Sequence, residues 1–187
     1  MPQAWESLRA PERNVLNIHV ARSGGGNNGD GPHGRRRSVN PSSRRLLTPG
    51  DFFTGLRKAL KAKLPLELRA YETSRGHGRL FKLHYGHPEF HYEAWHHTGA
   101  GRFEVGLHFE GSAEANQRAF DFFRSRMVEV KARLPRAELE PWDRGWTRMY
   151  ETLAAPQLDE AVLDDAGERL CDYITTLEPL MQQFLGR

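Results

Sequence analysis

Histidine and glutamate side chains are concentrated in one short stretch of this sequence. Seven of the nine histidines lie between residues 77 and 108, and glutamates alternate with them there. His91 and Glu93 are two residues apart, and Glu104 and His108 follow on the next predicted strand. Residues two apart on an extended strand point to the same side of a sheet. Imidazole and carboxylate groups on one face are the ligand types of zinc sites and the groups of acid–base catalysis.

The elements that must position these residues are three predicted strands. Apolar and polar residues alternate with a period of two, and glycine-containing turns separate the runs, which predicts an antiparallel meander. If the second turn closes around Gly99 and Ala100, the numbers of paired residues sum to 199. His91 then faces His108, and a one-residue slip would scatter the apolar residues of the other face. The predicted strands are residues 79–85, 88–97 and 102–109.

The same reasoning gives a register for the first hairpin. Closing it around Gly86 and His87 places Leu83 opposite Phe90 and puts Lys82 beside His91. A cation beside a metal ligand is unfavourable, so we predict no metal at this face. Three interpretations stay open: a metal or acid–base site, a face that binds a ligand or partner, and a solvated polar face. We predict a binding face, with one large aromatic residue among ionisable ones. Its candidate residues are His91, Glu93, Trp95, Glu104 and His108.

The capping residues and apolar spacing in the rest of the sequence predict helices and a second hairpin. Thr48 and Pro49 predict the start of a first helix, and Ser112 predicts the start of a long second one that ends before Pro135. Pro179 predicts a kink or a break in the terminal helix near Thr175. The predicted order is α-β-β-β-α-β-β-α. This is an α+β domain over residues 48–187, with helices packed on an antiparallel sheet made of the meander and the hairpin 138–153.

The N-terminal segment differs from the rest in charge and composition. Residues 1–47 carry eight arginines and three acidic residues, a net charge of +5, whereas the remainder carries −2. A glycine-rich stretch precedes an arginine cluster, so we predict a disordered basic tail over residues 1–47. Arginines there could bind nucleic acid phosphates, although a solvated tail without a partner is the simpler interpretation. The candidate arginines are Arg35, Arg36, Arg37, Arg44 and Arg45.

Other features argue against a cofactor, a membrane span and a reactive thiol. Gly24, Gly26 and Gly29 match the spacing of a dinucleotide-binding loop, but no helix start follows them, so we predict no cofactor. The sequence contains no apolar run long enough for a membrane span, and no secretory signal, which predicts a cytoplasmic protein. The single cysteine, Cys171, lies in an apolar helical pattern and is expected to be an inert buried thiol.

Several residues in order resemble a bacterial domain family of unknown function. Members of that family occur alone or C-terminal to restriction-nuclease-like domains. The resemblance covers residues 52–185 and implies a cytosolic accessory domain connected with DNA restriction or defence. It implies no catalytic residues. The residues that carry it are Phe53 and Leu56, the strand 103–107, then Asn116, Phe120, Phe123, Glu129 and Lys131 on a helix, and Trp142 and Arg148 in a hairpin.

These observations predict a non-catalytic binding or accessory module whose partner is an unknown protein or ligand. One alternative is a small metal-dependent or His/Glu-dependent hydrolase or nuclease that uses His91, His108 and Glu93. A second alternative is a nucleic-acid-binding protein that acts through its arginine-rich tail.

Overall fold

The structure is a computed structural model, and it describes residues 45–186. Residues 1–44 of the predicted tail lie outside the described residues. Four of the five candidate arginines are among them. The fifth, Arg45, is exposed and lies 3.8 Å from Glu160. Leu46 forms a β-bridge with Asp159, and the Leu47 amide donates to the Leu158 carbonyl at 2.8 Å. Residues 45–47, which the prediction assigned to the tail, therefore contact the domain.

The centre of the domain is a six-stranded antiparallel sheet with the order β1-β2-β3-β4-β6-β5. The α+β class is confirmed, and the predicted meander and second hairpin are both present. The sequence did not predict β1, an edge strand of three residues, or the pairing of β4 with β6. Pro141 lies on the edge strand β5, as predicted. The strands are β1 (Glu72–Ser74), β2 (Leu80–His84), β3 (Phe90–His97), β4 (Arg102–Phe109), β5 (Glu138–Pro141) and β6 (Thr147–Ala154).

The predicted register is correct for one hairpin and shifted for the other. In β3 and β4, Phe90 pairs with Phe109 and His91 with His108, so the sum of 199 is confirmed. In β2 and β3, Leu83 pairs with Tyr92 and not with Phe90, a shift of two residues. A shift of two leaves every side chain on its predicted face, because the side-chain period of a strand is two. The shift arises because the first turn is longer than Gly86 and His87 alone.

Four helices pack on one face of the sheet within the described residues. The prediction of a single helix after Ser112 is wrong, because the chain leaves helical geometry at Arg126. Ser125 donates its hydroxyl to the Phe122 carbonyl at 2.8 Å, a local bond that competes with continued helix. The first helix begins at its predicted cap, with Thr48 accepting from the Asp51 amide. The helices are α1 (Pro49–Lys63), α2 (Ala113–Arg124), α3 (Met127–Arg133) and α4 (Glu160–Phe184).

The terminal helix is continuous through Pro179, so it does not break near Thr175. α4 begins after Asp159, whose carboxylate accepts from the Val162 amide at 2.8 Å. Burial of Leu177 and Leu180 on either side of the proline holds the helix on the core. None of the helices in residues 45–186 combines the length and the apolar character needed to cross a bilayer.

The core lies between the helices and the inner face of the sheet. α4 contacts β3 and β4, α2 contacts β5 and β6, and α1 packs on α4. The inner face is apolar along the central strands, where Tyr92, Val105 and Leu107 are all buried. The opposite face of the sheet, called the outer face below, carries the polar residues of the same strands.

Phe123 tests whether α2 supplies essential core contacts. Its side chain is fully buried, and its ring lies 5.4 Å from that of Phe109. We expect Phe123→Ala to lower the free energy of unfolding by about 3–5 kcal/mol, because it leaves a cavity. Urea denaturation measures this loss. Val128→Ala, on the neighbouring helix α3 at a position 90% exposed, is the control and should change stability by less than about 0.5 kcal/mol. A loss below about 1 kcal/mol for Phe123→Ala would contradict this packing.

Candidate functional site

The five candidate residues predicted from the sequence lie together on the outer face. His91, Glu93 and Trp95 lie on β3, and Glu104 and His108 lie beside them on β4. Both histidines and both glutamates are 0–2% exposed. The interpretation of this face as a merely solvated surface is therefore wrong for these four residues, since burial of ionisable groups requires partners inside the protein.

Lys82 is the cation at the centre of this cluster. It lies on β2 directly opposite Glu93. Its ammonium nitrogen lies 2.5 Å from Glu93 Oε1, 3.3 Å from Glu110 Oε2 and 3.0 Å from His91 Nε2. An ammonium group has three N–H donors, and each of these three atoms can accept one. Lys82 is thus fully satisfied by the outer face, although its side chain stays 17% exposed.

The hydrogen bonds of His91 indicate which ring nitrogen carries a proton. Nδ1 lies 2.7 Å from the Pro88 carbonyl oxygen, which can only accept, so Nδ1 is the donor. In the neutral ring, Nε2 is then an acceptor, and Lys82 donates to it. Nε2 also lies 3.0 Å from Glu93 Oε1. When the ring is protonated, Nε2 donates to Glu93 instead, so Nε2 has a partner in either state.

A second cation, Arg148 on β6, neutralises the other buried carboxylate. Its Nη1 donates to both oxygens of Glu104 at 2.9 and 3.0 Å, and its Nε and Nη2 donate to Glu140 at 3.1 and 2.6 Å. The guanidinium lies between the rings of Trp142 and Tyr150, at 3.4 and 3.8 Å from their centroids. Sequence reasoning missed this role of Arg148, because only the long-range pairing of β4 with β6 places it beside Glu104.

His108 lies between the two ion pairs. Its ring stacks on His91 with centroids 6.0 Å apart and planes 17° from parallel. Nε2 is 3.3 Å from Glu104 and 3.7 Å from Glu93, and Nδ1 is 4.0 Å from Glu110. These are short electrostatic contacts without hydrogen-bond geometry, for neither ring nitrogen makes a hydrogen bond to the described residues. His108 therefore lies between the lysine and arginine halves of the cluster without a directed bond to either.

Trp95 is half-buried and keeps part of its ring exposed at the outer face. Its ring lies against His97, with centroids 3.9 Å apart, and meets His77 edge-on at 6.2 Å. Burial lowers the pKa of His97 below its ordinary value, even though Glu104 lies 3.2 Å away. A neutral imidazole and an indole thus form an aromatic patch at one end of the outer face.

The two buried glutamates are held in their charged form. Burial acts to raise the pKa of Glu93, but the His91 contact, the charge of His108 and the Lys82 ammonium outweigh it and lower that pKa to about 2. Burial likewise acts to raise the pKa of Glu104, and His108 and Arg148 bring it below its ordinary value. Opposite charges and hydrogen bonds favour the ionised carboxylates despite their burial.

Three groups of the outer face have the chemistry of a metal site. His91, Glu93 and Glu110 offer ligand atoms within 4.8 Å of one another, a set that suits zinc with a water as fourth ligand. The Lys82 ammonium contacts all three of these residues, and a cation in that position repels a divalent ion. The donor set therefore fits a metal only if Lys82 moves away.

One glycine makes room for this arrangement. Gly106 pairs with Glu93 on one side and with Tyr150 on the other. A Cβ atom there would lie 2.6 Å from the Met149 carbonyl oxygen and 2.7 Å from the Tyr150 Cβ. Neither distance is compatible with an ordinary contact, so the outer face requires glycine between Glu104 and His108.

Cys171 lies away from this cluster, in α4 on the core side. Burial raises the pKa of its thiol to about 11, so the thiol stays protonated at neutral pH. The thiolate is the reactive form of cysteine. The expectation of an inert thiol agrees with this environment.

No family model matches the chain, and comparison with curated proteins and with solved structures finds no match either. The resemblance to a bacterial accessory family, and the implied connection with DNA restriction or defence, therefore stay predictions from the residues alone.

The pKa of Glu93 predicts how stability changes with pH. A carboxyl whose pKa is lower in the folded state stabilises the fold above its unfolded pKa, ordinarily about 4.3, and loses that contribution as the pH falls through about 2. We expect the stability difference between wild type and Glu93→Gln to shrink by roughly 2–3 kcal/mol between pH 5 and pH 2. Chemical denaturation at several pH values measures it.

The exposed glutamate Glu114 provides the matched control for this experiment. The difference between wild type and Glu114→Gln should stay nearly constant over the same pH range. If the stability difference between wild type and Glu93→Gln is equally independent of pH, the environment of Glu93 in solution is an ordinary one.

Lys82 predicts the response to zinc. We expect wild type to bind no stoichiometric zinc at pH 7, and Lys82→Ala to bind one ion through His91, Glu93 and Glu110, because the competing cation is gone. Isothermal titration calorimetry and a zinc-dependent rise of the melting temperature measure binding. Lys82→Ala combined with His91→Ala is the control and should lose the ion. Stoichiometric zinc in purified wild type would contradict the position assigned to Lys82.

Proposed function

We propose that the domain is a non-catalytic binding module and that it binds a basic segment of a partner protein through the outer face of the sheet. The observation that carries the proposal is the position of Lys82, which contacts His91, Glu93 and Glu110 at once. The imidazole and carboxylate groups best suited to catalysis or metal binding thereby hold the strands of the outer face together.

A catalytic role would need a free base, nucleophile or metal-binding group. The Nε2 of His91 lies within hydrogen-bond distance of both Lys82 and Glu93, and Arg148 donates to both oxygens of Glu104. The thiol of Cys171 is protonated and lies on the other side of the sheet. His108 makes no hydrogen bond through its ring to the described residues, but it is only 1% exposed, and a general base must reach the proton of a substrate within hydrogen-bond distance. The arrangement supports a structural role for these groups and a binding role for the surface above them.

The outer face as a whole, with its buried layer included, is acidic and partly aromatic. With neutral histidines, its glutamates outnumber its basic residues by six to three, a net charge of −3. Trp95, Trp142 and Tyr150 are half-buried and present ring surface between these charges. Aromatic residues are enriched where proteins bind one another, and an acidic surface attracts a basic partner. The charged residues are Glu72, Glu93, Glu104, Glu110, Glu138, Glu140, Lys82, Arg102 and Arg148.

The surroundings of Arg148 show how the outer face can hold a cation. The guanidinium of Arg148 lies between two aromatic rings while Glu104 and Glu140 accept its N–H groups. An arginine of a partner could be held in the same way, by cation–π contact with an aromatic ring and by a carboxylate. The negative charge disfavours nucleic acid at this face, so any binding of nucleic acid would fall to the arginine-rich tail.

Selection from a random-peptide display library on the immobilised full-length chain tests this proposal. We expect the selected peptides to be rich in arginine or lysine. Fluorescence anisotropy with synthetic copies should show about tenfold weaker binding to Trp95→Ala, and a several-fold loss for Glu138→Lys, which reverses an exposed charge. Val128→Ala, on the helix side, is the matched control and should bind as wild type does.

Two outcomes would contradict the proposal. Peptides that bind all the variants equally would place the binding surface elsewhere. Stoichiometric metal in wild type, lost together with a hydrolytic activity in His91→Ala, would favour the alternative of a small metal-dependent hydrolase or nuclease.

A further inference from the structure

A separate cavity lies at the end of the sheet where the described chain begins. It has a volume of about 250 Å³, and its walls are formed largely by Leu46, Leu47, Pro49 and Leu158. Three polar side chains, those of His96, Arg79 and Gln157, complete the lining. His96 belongs to the inner face of β3, so this cavity is distinct from the outer face and does not depend on the function proposed for it.

His96 has one ring nitrogen without a partner. The residue is 5% exposed, and its Nε2 lies 3.0 Å from the Ala155 carbonyl oxygen, to which it must donate. Nδ1 is buried and makes no hydrogen bond to the described residues. In the neutral ring, Nδ1 is an acceptor, and leaving it unpaired carries the cost of desolvation without a compensating bond. A ligand group in the cavity can remove that cost.

Arg79 contributes a positive charge to the same cavity. Its main-chain carbonyl accepts from the His96 amide at 2.9 Å, which fixes the two residues side by side. Within residues 45–186, no ion pair or side-chain hydrogen bond engages its guanidinium, which is exposed. Guanidinium groups bind carboxylates with particular strength, because two parallel N–H groups match two oxygens.

We propose that this cavity binds a small aliphatic carboxylic acid. A carboxylate suits Arg79 and His96 together: it pairs with the Arg79 guanidinium, and it accepts from His96 Nδ1 when the ring takes up one proton from solvent on binding. The leucine and proline walls suit a hydrocarbon chain. At about 30 Å³ for each water molecule of the liquid, a volume of about 250 Å³ holds roughly eight waters, and hexanoate has about that many non-hydrogen atoms.

Titration of the full-length chain with hexanoate tests the proposal, with the ring nitrogens of ¹⁵N-labelled histidine observed by NMR. We expect saturable binding with a Kd of about 1 mM or tighter and a shift of the His96 Nδ1 signal beyond those of the other histidines. Hexylamine, which has the same chain and the opposite charge, should bind at least about tenfold more weakly.

Two variants locate the site. Arg79→Gln should weaken hexanoate binding by about tenfold, and His96→Phe should abolish the shift while keeping an aromatic ring beside Phe103. Arg75→Gln, a change at another exposed arginine before β2, is the matched control and should bind as wild type does. Since Arg79 is exposed, its variant decides the question even if His96→Phe does not fold.

The proposal would be overturned by any of three results. These are no saturable binding to wild type up to about 10 mM hexanoate, unchanged binding by Arg79→Gln, and equal binding of hexylamine.

Discussion

Two carboxylates buried in one sheet set the main constraint on this structure. Glu93 and Glu104 are 2% and 0% exposed, and each is neutralised by a cation from a neighbouring strand. Lys82 reaches Glu93 from β2, and Arg148 reaches Glu104 from β6. Removing one partner of a buried ion pair leaves an uncompensated charge, which costs about 3–5 kcal/mol. The four central strands are therefore held in register by charge on the outer face as well as by apolar packing on the inner face.

This constraint also shapes what the outer face can do. Histidines and glutamates in such numbers suggest a catalytic or metal site, yet the cations that neutralise them come from the protein itself. The surface that another molecule can contact lies above these buried ion pairs. There, half-buried Trp95, Trp142 and Tyr150 alternate with carboxylates. A rigid polar layer beneath a binding surface keeps that surface pre-organised, which reduces the entropy lost on association.

The sequence predicted the parts of the fold that depend on local pattern. The pairing of His91 with His108 followed from alternation and a short turn. The first hairpin was predicted two residues out of register, yet Lys82 still contacts His91 because its long side chain reaches past Glu93. The break after α2 was not predicted, since the apolar spacing continues through Ser125.

The interactions that the sequence could not predict are those made between distant segments. β4 pairs with β6 across the intervening helices, and only this pairing brings Arg148 to Glu104. The continuity of α4 through Pro179 likewise depends on tertiary packing, which outweighs the helix-breaking tendency of proline. The five candidate residues were thus found as a group, whereas two of the groups that fix their chemistry, Arg148 and Glu110, were not.

A double-mutant cycle on Lys82 and Glu93 tests the central claim most directly. Lys82→Met and Glu93→Gln are made singly and together, and urea denaturation at pH 7 gives the free energies of unfolding. The structure predicts a coupling energy of about 1.5–3 kcal/mol, against less than about 0.5 kcal/mol for the exposed pair of Arg124 and Asp121 as a control. Effects of the two substitutions that add to within about 0.5 kcal/mol would contradict the account, because the buried pair would then not hold the outer face together.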